Sequence, residues 1–152
     1  METEYSALVD SMNVINTEIE TNKGKLFIGF SDVKAKLATV EAQANELVVS
    51  TEAKKESIRQ EVQAILDQLK TLAADNAGLF EKAPKGKEGK AAIEAIKSEL
   101  AVIATSETEI PLLLESGKLL NAQSKATAAL DKASAINEEL KGVVEKYNQR
   151  NR

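Results

Sequence analysis

The sequence predicts an all-α protein, an elongated antiparallel helical bundle or coiled-coil hairpin of about four helices. Three observations predict it. Apolar side chains recur at alternating steps of 3 and 4 along most of the chain, the period of a helix face. Proline occurs 2 times and glycine 7 times in 152 residues, so few positions interrupt a helix. Aromatics make up only 3% of residues against 43% apolar residues in all, so the core is built from small side chains and must be long and thin. A chain of this length is expected to form a single helical domain, residues 1–152.

Helix A is expected over about residues 3–22, where Tyr5, Leu8, Met12, Ile15 and Ile19 form one stripe. It gives out near Asn22–Gly24. "KLFIGF" (25–30) follows and reads as an apolar corner packed under the bundle, because a short strand there has nothing obvious to pair with. Ser31 is the expected N-cap of the next helix.

Helix B is expected over about residues 31–77. Val33, Leu37, Val40, Ala44, Leu47 and Thr51 form one stripe, and Ile58, Val62, Ile65, Leu69, Leu72 and Asn76 form another. The stripes join if the pattern advances by eleven residues through Thr51 and Lys55, a step that relaxes a supercoil without breaking the helix. No Gly or Pro occurs from 31 to 77, which favours one helix of roughly 70 Å. The alternative is a break at Ser50–Thr51, where "VSTEAKKE" could open a new helix, so continuity through 50–57 stays open. Gly78 is expected to end helix B in the left-handed conformation, with Leu79 folded back on the last turn. A hairpin loop over 78–89, containing Pro84, Gly86 and Gly89, would then reverse the chain.

Helix C is expected over about 90–110, on Ile93, Ile96, Leu100, Ile103 and Ile110. Pro111 either kinks it or sits in the first turn of helix D, expected over about 112–148. Helix D has the clearest period: Leu119, Ala122, Ala126, Ala129, Ala133, Ile136, Leu140 and Val143, then Tyr147. Its alanines let a neighbouring helix approach toward the low end of the usual range of roughly 8–10 Å between axes. Leu119 to Val143 along this stripe are the candidate interaction seam. The closing "KYNQRNR" is expected to fray.

The residues that usually carry chemistry are missing. The chain has no histidine and no cysteine, which removes the commonest general base, the commonest transition-metal ligand and thiol chemistry. Glu18/Glu20, Glu107/Glu109 and Glu138/Glu139 are not spaced to converge on one helix face, so no metal site is expected. "KAPKGKEGK" (82–90) offers glycines and lysines ahead of a helix, as an anion site would. Gly86 and Gly89 are too close for a P-loop, and Ala91 stands where that loop needs a hydroxyl; a solvated turn explains the stretch better. No cofactor and no catalytic residue are expected, and the protein is not expected to be an enzyme.

Charge is uneven. Residues 1–22 hold Glu2, Glu4, Asp10, Glu18 and Glu20 without a single Lys or Arg. Residues 141–152 hold Lys141, Lys146, Arg150 and Arg152 against Glu145. The net charge of −4, scattered bases and few aromatics give no reason to expect a nucleic-acid partner. No apolar run approaches a membrane span of roughly 20 residues. The acidic N-terminus does not read as a signal peptide, which favours a location inside a cell or a viral particle.

What the sequence offers a partner is helix surface. Helix B is expected to run about 47 residues and helix A about 20, so part of B must be covered by C and D or by another subunit. The expected function is therefore a non-catalytic structural, assembly or adaptor role through helix–helix contacts, with self-association and a virion or phage component among the settings. The alternative is an amphipathic bundle that binds a lipid or other apolar surface, through stretches such as "KLFIGF" and "IPLLL" (110–114).

Overall fold

A computed structural model describes residues 2–25, 30–84 and 90–150, with the side chains of 90–92 and 150 excepted. Four helices make up the described chain: α1 (Glu2–Asn22), α2 (Ser31–Lys82), α3 (Lys90–Glu115) and α4 (Leu119–Arg150). No strand occurs among the described residues. The protein is an all-α bundle. Its residues group into two compact units, Met1–Glu56 and Ser57–Arg152. Helix α2 contributes to both and is unbroken through residues 50–57.

The first unit is a hairpin of α1 and the first half of α2. Gly24 has a φ of 95°, a left-handed conformation that ends α1 at little cost only for glycine. The cap of helix α2 falls one residue earlier than expected. The amide of Lys34 donates to the carbonyl of Phe30 at 2.9 Å, so Phe30 holds the cap position and Ser31 is the first helical residue. Most of "KLFIGF" (26–29) lies outside the described residues; Phe30 is exposed. The core of this unit is small. Ile15, Val33 and Val40 are buried, with Leu8 and Ile19 half-buried against them. Glu18 and Lys36 form an ion pair across the hairpin.

The second unit is a three-helix bundle of the rest of α2 with α3 and α4. Helices α3 and α4 run antiparallel, as the ion pairs Glu109–Lys125 and Glu99–Lys132 (3.5 Å) require. Helices α2 and α4 run parallel: Gln123 donates to Glu61 at 2.7 Å, and Asn137 to Asn76 at 2.8 Å. The core follows the expected stripes, from Ile58, Val62 and Leu69 on α2, through Ile96, Ile103 and Ile110 on α3, to the alanine stripe of α4. On α2 it is Leu66 that is buried, with its neighbour Ile65 only half-buried. On α3 the buried Ser106 fills the step between Ile103 and Ile110, and its hydroxyl donates to the carbonyl of Val102 at 3.0 Å. That internal bond satisfies the hydroxyl, so a polar residue can take a core position.

Three expected boundaries move. Helix α2 does not stop at Gly78 but continues to Lys82, so the expected loop over 78–89 loses its first residues to the helix. Gly78 has no positive φ, and Leu79 and Phe80 pack against the core. Burying those two side chains on the helical register outweighs the roughly 1 kcal/mol that an interior glycine costs. Of the two places open to Pro111, the first holds, and the helix that contains it ends later than expected. Pro111 lies inside α3, which runs on to Glu115, so residues 112–115 belong to α3 and not to the next helix. The break falls at Gly117, whose φ is 74°. The amide of Lys118 donates to the carbonyl of Leu113 at 2.9 Å and that of Gly117 to Leu114 at 3.1 Å. This paired closure at a left-handed glycine is a Schellman motif, and it satisfies the last carbonyls of α3. At the other end, α4 holds its helix to Arg150, beyond the expected limit near 148.

Candidate interaction surfaces

The seam named from sequence lies on α4 inside the second unit. Leu119, Ala122, Ala126, Ala129, Ala133, Ile136 and Leu140 are buried, and Val143 is half-buried against the same core. Their cover is α2 and α3 of the same chain. Alanine along this face allows α3 and α4 to bring Cα atoms within 8 Å of each other. Within the core, Asn76 and Asn137 meet between α2 and α4. Asn137 donates to the side-chain oxygen of Asn76, and Asn76 donates to the carbonyl of Ala133, both at 2.8 Å.

Of the loop residues named from sequence, Pro84 is half-buried, while Gly86 and Gly89 lie outside the described residues. Pro84 lines a shallow cleft with Val143, Lys146 and Tyr147 at the end of α4.

A different surface opens in the first unit. Along α1 the stripe that buries Ile15 continues toward the N-terminus as Leu8, Met12 and Tyr5, and along α2 the stripe of Val40 continues as Ala44, Leu47 and Thr51. Between them runs a groove of about 550 Å³. Val9 widens its α1 wall and Val48 its α2 wall. Tyr5 is 64% exposed, Met12 39% and Val48 62%, so the stripes persist in sequence after their cover has ended. Among the described residues the groove lining holds one charged side chain, Glu52, which pairs with Lys55 at 2.7 Å. A second groove of about 350 Å³ shares Leu8 and Leu47 but is more polar, with Glu4, Ser11, Gln43 and Glu46 in its lining.

Among the described residues no group of three or more acidic side chains is placed to hold a metal ion. Among the described residues one buried side-chain oxygen, Oε1 of Glu107, has no hydrogen-bond partner. No described helix is long and apolar enough to cross a membrane. The chain matches no protein-family model, and comparison with curated proteins and with solved structures finds no match.

The apolar groove was half-visible in the sequence. Both of its stripes have the period of a seam, but periodicity marks a face and says nothing of what covers it. The surplus of the long helix over a helix of about 20 residues is covered by α3 and α4, so the length imbalance does not point to this groove.

Proposed function

We propose that this protein is a non-catalytic assembly component that works through helix–helix contacts, with the apolar groove of the α1–α2 hairpin as its docking surface. The observation that carries the reading is the exposure of Tyr5, Met12 and Val48 together along one groove. Contiguous apolar surface of this kind on a folded protein marks an interaction site more often than scattered exposed residues do. A groove between two helices takes a third helix by the same ridge-and-groove packing that builds the rest of the bundle. The absence of His and Cys from the sequence supports a role without catalysis.

The test is capture from the native source on immobilised wild-type chain beside Met12→Glu and Val48→Glu. A partner retained by the wild type and lost with both variants is expected. Equal capture by all three, or by none, would rule out this groove as the docking surface.

A second reading has its own support. Val14 and Val49 are exposed outside the groove lining, so apolar surface extends to other faces of the hairpin. A hairpin that opens onto a lipid or other apolar surface would use such faces. The acidic α1 opposes anionic lipid, so the test is flotation with neutral phosphatidylcholine vesicles. Failure to co-float removes this reading.

A further inference from the structure

We draw no further inference here: the strongest candidate, the apolar groove between α1 and the first half of α2, carries nothing beyond the docking role already proposed for it, because nothing in the structure shows what covers it.

Discussion

Asn137 reaches across from α4 to donate to the carboxamide oxygen of Asn76 on α2 at 2.8 Å, and Asn76 passes its own donor to the carbonyl of Ala133 at 2.8 Å. Both side chains are buried, Asn76 at 0% exposure and Asn137 at 4%. They pair the two helices of the second unit that run parallel. A parallel pair could slide by one turn and still bury an apolar stripe; the two amides bond at one register alone. A polar pair of this kind contributes register more than net stability.

Removing one partner is therefore expected to cost more than removing both. Asn137→Leu strands the oxygen of Asn76 in the core and should destabilise the protein by about 1–3 kcal/mol. Asn76→Leu combined with Asn137→Leu should recover part of that loss. Urea denaturation of the four members of the cycle gives the coupling directly. Strictly additive effects would mean that the two amides do not act as a pair.

The alanine stripe of α4 makes a second expectation. Ala129 is buried where α4 packs into its bundle. Ala129→Leu adds volume that neighbouring helices must move to admit, at a cost of about 1–3 kcal/mol. Thermal denaturation followed by circular dichroism would register the loss as a lower Tm. An unchanged Tm would place the side chain in solvent and contradict its burial.

The glycines separate by sign. Gly78 is helical, and a Cβ built on it meets nothing within 4 Å, so Gly78→Ala should stabilise by roughly 0.5–1 kcal/mol. Gly117 also has open space around it, but its φ of 74° strains any side chain, so Gly117→Ala should destabilise by about 1–2 kcal/mol. Chemical denaturation of the two variants side by side tests both. The same sign for both would show that local space, and not backbone conformation, governs them.

Those two positions also explain how far the fold could be read from the sequence. The period along α4 is unbroken from Leu119 to Val143, and its residues are buried as far as Leu140, with Val143 half-buried. Where the structure departs from the local pattern, a strong local signal is outweighed by a weaker-looking neighbour. Gly78 resembles a helix stop, yet Leu79 and Phe80 beyond it gain more by staying on the helical register. Pro111 resembles a helix start, yet the chain reverses at Gly117, which carries the left-handed conformation a turn needs. Sequence periodicity found Tyr5, Met12 and Leu47 as seam residues as readily as Val62 or Ile103. The first group lines an open groove and the second a closed core, because coverage depends on which helices lie nearby and not on spacing within one helix.

The unbroken course of α2 has a consequence for how the protein breathes. One helix carries amides that belong to a unit with a small core, around Ile15, Val33 and Val40, and amides that belong to a much larger core. Local opening free energies follow the apolar contacts that each segment must give up. Amide hydrogen exchange should therefore be fast in residues 31–56 and slow from about residue 58 to the end of the helix, a gradient along one rod with no chain break to account for it. Occupation of the groove would slow exchange in the first half alone, so the steepness of that gradient is itself a gauge of whether the hairpin has found its cover.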